Sequence, residues 1–267
     1  MATLPRHDAG FARVTTPILP DVVDEARRLL AAAEEQGIRL RLIGGAAVRL
    51  HVRGELNPVF AREIRDIDVV TGKGEGRRAG EFLEGQGYAP NRTFNAMHGA
   101  RRMLFYDEPN TRQLDVFVNT FEMCHVLPVG EHLDNDPVTV PLADLLLTKL
   151  QIVKLNAKDR SDASALLLEH ELGSGDVERI DVERIADLGA RDWGLYHTLE
   201  LNLERLLAGL PESGLGDADQ RVIEARVTGI AAALESAAKS VKWKARARVG
   251  ERVRWYEEPD EVEQGGY

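Results

Sequence analysis

Ile38-Arg39-Leu40-Arg41-Leu42-Ile43-Gly44-Gly45-Ala46-Ala47-Val48-Arg49-Leu50-His51 changes periodicity in its middle. Residues 38–43 alternate apolar side chains with Arg39 and Arg41, the pattern of a strand with one buried and one polar face. Gly44-Gly45 then allows a tight turn, and residues 46–51 read as the start of a short helix. Main-chain N–H groups exposed at a helix N-terminus attract phosphate, although two glycines alone are weak evidence for such a site. The next strand, 65–71, carries Asp66-Ile67-Asp68, and side chains two apart on a strand share a face. A third carboxylate, Asp115, sits in the apolar run Leu114-Asp115-Val116-Phe117-Val118. A buried unpaired carboxylate costs several kcal/mol or neutralises itself, so three aspartates converging from two strands call for a compensating cation. Hard oxygen donors of this kind suit Mg²⁺, one ion or two.

Working outward, residues 21–36 have apolar positions at helical spacing and stop at Gly37. Residues 53–61 read as a loop, 77–86 as a helix ended by Gly87, and 100–106 and 113–119 as antiparallel strands joined by Asp107-Glu108-Pro109-Asn110. Residues 121–127 add a further strand. Helical patterns follow over 142–155 and 159–169, a break at Gly173-Ser174-Gly175, then helices over 177–188, 196–207 and 218–238 and a basic stretch over 239–254, before an acidic tail from Glu257. The expectation is an α+β protein: a mixed β-sheet with packed helices over 18–170, followed by an α-helical C-terminal region over 175–256.

Composition narrows the function classes. The 267 residues are 43% hydrophobic and 29% charged, ordinary for a folded protein. A net charge of -10 argues against a protein that coats nucleic acid, though not against a local basic groove. The single cysteine, Cys124, excludes an intramolecular disulfide and a cysteine-based zinc site. Residues 1–10 lack the apolar core of a signal peptide, and no stretch reaches the roughly 20 apolar residues of a membrane span. The expected setting is the cytoplasm, with no membrane partner.

Taken together, Leu42-Ile43-Gly44-Gly45, Asp66-Ile67-Asp68 and Asp115 resemble the nucleotidyltransferase superfamily, which includes DNA polymerase beta and many small bacterial enzymes. That superfamily follows a strand with Gly-Gly or Gly-Ser opening a helix, then Asp-x-Asp, then a third acid on a later strand. Leu145-Leu146-Leu147-Thr148-Lys149-Leu150 followed by Lys158-Asp159-Arg160-Ser161-Asp162 looks like the helical section of AbiEii-like nucleotidyltransferases, some of which are toxins of type IV toxin–antitoxin systems. The resemblance spans about residues 20–170, with 53–63 as an inserted loop. It implies a nucleotidyltransferase fold and Mg²⁺-dependent transfer of NMP from an NTP to a hydroxyl or phosphate acceptor, with two ions in the site. On that resemblance Asp66 and Asp68 ligate both ions, and Asp115 ligates the second and can take the acceptor's proton. The Gly44 and Gly45 amides hold the terminal phosphates, and Lys149 is a further phosphate contact. The implied acceptor is a small molecule, a tRNA or a protein, and an antitoxin is an implied partner. A non-catalytic nucleotide-binding module that regulates a partner is the alternative, and a helical adaptor whose aspartates are ion-pair partners is a third reading.

Other residues carry two readings each. Lys149 interrupts a leucine run, where it either meets phosphate or snorkels to the surface. Lys158, Asp159 and Asp162 read as a solvated helix start, with Asp159 favoured by the resemblance, and Arg65 as a neutraliser of the aspartates or a surface ion pair. Asn95 and His98 are candidates for an acceptor pocket. In 239–254 a helix would align Val241, Ala245, Val249 and Val253 for packing, while the basic residues with Trp243 and Trp255 could instead meet RNA.

Overall fold

In the computed structural model, which describes residues 17–175 and 178–258, Asp21 starts α1 (Val22–Glu35) by accepting hydrogen bonds from the Val23 and Asp24 main-chain N–H groups. Ala26, Leu29, Leu30 and Ala33 form its buried stripe. β1 (Leu40–Ile43) runs straight into α2 (Gly44–His51). After the 52–66 connection come β2 (Ile67–Thr71), α3 (Gly76–Gly85), β3 (Ala89–Pro90), α4 (Arg92–His98), β4 (Arg102–Asp107) and β5 (Arg112–Val118). These strands form one mixed sheet in the order β1-β2-β5-β4-β3, in which only β2 and β5 pair in parallel. α3 covers one face, with Gly76 and Gly80 against Val118, Met103 and Phe105. Asp68 and Asp115 belong to the opposite face.

β1 departs from its sequence pattern. All four residues are buried, and Arg41 is only 6% exposed. Its Nε donates to the Leu133 carbonyl at 2.7 Å and Nη1 to the Leu40 carbonyl at 2.9 Å, so the charge is carried by main-chain oxygens. The covering segment lies 92 residues away along the chain, and local alternation cannot announce it.

β6 (Phe121–Glu122) and β7 (Val126–Leu127) make a small hairpin where a single strand was the expectation. α5 (Leu142–Leu150) is buried at every residue. It stops short of 155 because Asn202 Nδ2 takes the Leu150 and Ile152 carbonyls at 2.7 and 2.8 Å, capping the end from another helix. α6 (Ala157–Glu169) follows an Asn156 cap. β8 (Leu172–Gly173) and β9 (Ile180–Asp181) pair in parallel, and then come α7 (Val182–Arg191), α8 (Trp193–Gly209), α9 (Asp217–Ser236) and α10 (Val241–Val249). The architecture is thus α+β, a mixed sheet with helices followed by a helical C-terminal region. The helix expected over 177–188 starts only at Val182, because Ile180–Asp181 pair with β8 and the Asp181 side chain caps α7; the expectations for residues 1–10 and for the tail beyond Glu258 lie outside the described residues.

One apolar cluster runs from Ala26 in α1 to Leu234 in α9. α5 and α6 pack on α7, α8 and α9, and Arg226 Nη1 donates to the Leu167 and Leu168 carbonyls at 2.6 Å each. The sheet region and the helical region therefore share a core. Truncating a leucine at its centre, such as the fully buried Leu146, would cost about 2–5 kcal/mol.

The basic stretch docks, but not through its valines. Val241, Val249 and Val253 are 85%, 39% and 58% exposed. Trp243 Nε1 donates to the Gly189 carbonyl at 2.9 Å, the Arg246 guanidinium lies 4.4 Å over the Trp193 ring, and Trp255 Nε1 donates to Thr198 Oγ1 at 3.0 Å. Aromatic rings with polar tips anchor the segment, Trp243 from α10 and Trp255 from the chain beyond it, each burying an apolar ring while its N–H finds an acceptor. Among the described residues no helix is long and apolar enough to cross a membrane.

Candidate active site

The parallel pairing of β2 and β5 sets Asp68 directly beside Asp115. Paired residues on neighbouring strands point to one face, so the two carboxylates are neighbours by register. Asp66 lies one residue ahead of β2 and is exposed, while Asp68 is half-buried and Asp115 is buried. Among the described residues, the Asp68 carboxylate has no hydrogen-bond or ion-pair partner. Burial pushes its carboxyl well above the usual carboxylate range, Asp66 and Asp115 push it further, and Lys149 and Arg102 pull back.

Asp115 is differently furnished. Arg102 Nε donates to Oδ1 and Gln113 Nε2 to Oδ2, each at 2.7 Å. Burial raises its pKa, and the Arg102 charge with these hydrogen bonds opposes the rise. The Arg102 guanidinium itself lies 5.3 Å from the centre of the Phe117 ring and 5.8 Å from that of Phe94.

α2 begins under Asp68. Gly44 has φ +70°, and a Cβ there would lie 2.1 Å from Asp68 Oδ2. Backbone conformation and the carboxylate's close approach each require glycine at this position. Ile43, at the N-cap position, offers no side-chain acceptor to the first-turn N–H groups.

Lys149 does not snorkel. It is 9% exposed, and its Nζ lies 2.9 Å from Asp162 Oδ2 and 3.8 Å from Asp159 Oδ1. Asp162 is buried rather than solvated: burial alone would raise its pKa, but hydrogen bonds and charge from Arg62 and Lys149 hold it below the usual range. Burial raises Asp159, against the pull of Lys149. Arg65 makes an exposed ion pair with Glu63 at 2.6 Å. Asn95 is spent on β4, accepting from the Leu104 N–H at 2.7 Å and donating to its carbonyl at 3.0 Å, and His98 lies exposed beside Phe94.

The fold therefore brings together Gly44, Asp68 and Asp115, with Lys149 and Asp66 close enough to act on Asp68 electrostatically. It does not close the carboxylates into a cage: among the described residues, no group of three His, Cys, Asp or Glu side chains is gathered tightly enough to hold a metal ion. Carboxylate oxygens are the donor type that Mg²⁺ prefers, and of the three the Asp68 side chain is unpartnered while both Asp115 oxygens are engaged. Arg102 and Arg62 went unnoticed in the sequence. Arg102 occupies an apolar strand on the same face as Asp115, which is the one signal that could have found it. The sequence matches no model of a known protein family, and it matches no curated protein.

Proposed function

We propose that this chain is a Mg²⁺-dependent nucleotidyltransferase that moves NMP from an NTP to a hydroxyl or phosphate acceptor. The observation that carries the reading is the register of Asp68 against Asp115 above the glycine start of α2, with Asp68 unpartnered. Bound Mg²⁺, held by Asp66, Asp68 and Asp115, would neutralise phosphate charge and make the acceptor hydroxyl more acidic. The first-turn N–H groups of α2 and the Lys149 ammonium would hold the phosphate tail, fixing the α-phosphorus for in-line attack. Asp115, its pKa raised by burial, is suited to take the acceptor's proton, and Arg102 and Gln113 hold its two oxygens in place. Small molecules, tRNA and proteins all offer acceptors of this chemistry, and a protein antitoxin would be a partner if the chain acts as a toxin.

The test is pyrophosphate release from each NTP with Mg²⁺ and fractionated cell extract, with Asp68→Ala as the comparison. Release that persists unchanged in Asp68→Ala would sink the proposal. One observation favours the non-catalytic alternative: both Asp115 oxygens are already engaged. A regulatory module would bind Mg-NTP in calorimetry and release no pyrophosphate with any acceptor fraction.

A further inference from the structure

Arg62 lies in the connection that reads as an inserted loop, yet its guanidinium turns back onto α2. A Cβ at Gly45 would lie 2.3 Å from Arg62 Nη2, so the second glycine leaves room for this side chain as the first does for Asp68. Arg62 Nε and Nη2 donate to Asp162 Oδ1 and Oδ2 at 2.9 and 2.7 Å, a planar fork on a carboxylate whose side chain is 7% exposed. Oδ2 of the same carboxylate also takes Lys149 Nζ at 2.9 Å. A carboxylate that served only to neutralise Lys149 would need no second cation. Here one buried anion holds two, one from the loop before β2 and one from α5, and with Asp159 3.8 Å from Lys149 the four charges balance beside the start of α2. Lysine and arginine both keep N–H donors beyond those Asp162 uses.

We infer that Asp162 is a positioning residue that aims Arg62 and Lys149 together at the N-terminus of α2, where the pair forms the seat for the nucleotide's phosphate tail. The assignment rests on the nucleotidyl-transfer reading above. It makes Arg62 a phosphate contact and gives the loop before β2 a role in binding.

The test exploits the sign of the charge change. Asp162→Asn adds a positive charge to the cluster, so a carboxylate that merely screened would, once removed, leave polyphosphate bound more tightly. A positioning carboxylate, once removed, lets both cations drift. Inorganic tripolyphosphate is titrated into the full chain by calorimetry, with Mg²⁺ and again in EDTA, with a thermal melt of every variant. We expect Asp162→Asn and Arg62→Gln each to weaken binding about tenfold or more in the buffer where the wild type binds, as for loss of a charge-assisted hydrogen bond. Arg65→Gln, in its surface pair with Glu63, should bind as the wild type does. In turnover, KM for NTP should rise more than kcat falls. Equal or tighter binding by Asp162→Asn, unchanged binding by Arg62→Gln, or no binding by the wild type in either buffer would overturn the assignment. If Asp162→Asn does not fold, Asp162→Glu keeps the charge but displaces both cations; binding unchanged from the wild type would equally count against it. Failure of nucleotidyl transfer is seen separately, as absence of pyrophosphate release by the wild type whatever tripolyphosphate does.

Discussion

Asp68→Asn should stabilise the metal-free protein while abolishing transfer. Strands such as β2 and β5 lie about 4.8 Å apart, and two unit charges at that spacing with an effective dielectric of about 20 repel by about 3 kcal/mol. Arg102, hydrogen-bonded to Asp115 at 2.7 Å, offsets a large part, leaving a net cost of about 1–2 kcal/mol. Replacing the Asp68 carboxylate with a neutral amide of the same shape removes that cost, and in a chain of this size the melting temperature should rise by about 2–8 °C. The pH dependence has a definite sign. A carboxyl whose folded pKa is raised contributes stability that is complete below its unfolded pKa, near about 3.9, and lost as pH rises through the folded value. The variant should therefore match the wild type below about pH 4 and exceed it increasingly towards neutrality. Adding Mg²⁺ should raise the wild-type melting temperature and leave that of Asp68→Asn where it was. The assay is a set of thermal melts in EDTA and in Mg²⁺ across that pH range. A variant that melts at or below the wild type in EDTA at neutral pH would refute the like-charge account of the site.

Gly44→Ala places a side chain at φ +70° and a methyl group 2.1 Å from Asp68 Oδ2, so it should lose about 1–2 kcal/mol to backbone strain alone and depress pyrophosphate release by moving Asp68. Wild-type activity with an unshifted melt would count against that geometry. Burial lowers the His125 pKa to about 4, while its ring bonds Thr198 Oγ1 at 2.8 Å. Because the folded value lies below the unfolded one, the stability tied to the neutral ring is intact above about pH 6.5 and falls towards pH 4, by about 2 kcal/mol at pH 5. Urea midpoints at pH 7 and pH 5 should show His125→Gln losing less than the wild type over this interval, and equal losses would refute the assignment. In the C-terminal segment, Trp243→Ala should cost about 1–3 kcal/mol in urea unfolding, whereas Val241→Ser, Val249→Ser and Val253→Ser should each stay within about 0.5 kcal/mol. The opposite ranking would mean that the valines carry the docking.

Much of the candidate site is legible in the linear chain, since its main constraints are local. The change of period at Gly44-Gly45 determines a strand entering a helix, whereas the spacing of Asp66 and Asp68 predicts a shared strand face that holds only for Asp68, since β2 begins at Ile67 and leaves Asp66 exposed ahead of it. The apolar run around Asp115 marks a strand. None of these patterns contains the parallel pairing that makes Asp68 and Asp115 neighbours, since register between distant strands is a property of the assembled sheet. The same limit hid the fate of the cations. Arg41 looks solvent-facing and is buried under residue 133, Lys149 could have reached water and instead meets Asp162, and Arg62 crosses from a loop to α2 and α6. Long cationic side chains take whatever partner the tertiary fold offers, and burial then makes that partner obligatory. The sequence by itself determined which carboxylates and glycines could do chemistry. Only the tertiary structure decided which carboxylate stands free at Asp68, which is held by Arg102 at Asp115, and which gathers two cations at Asp162.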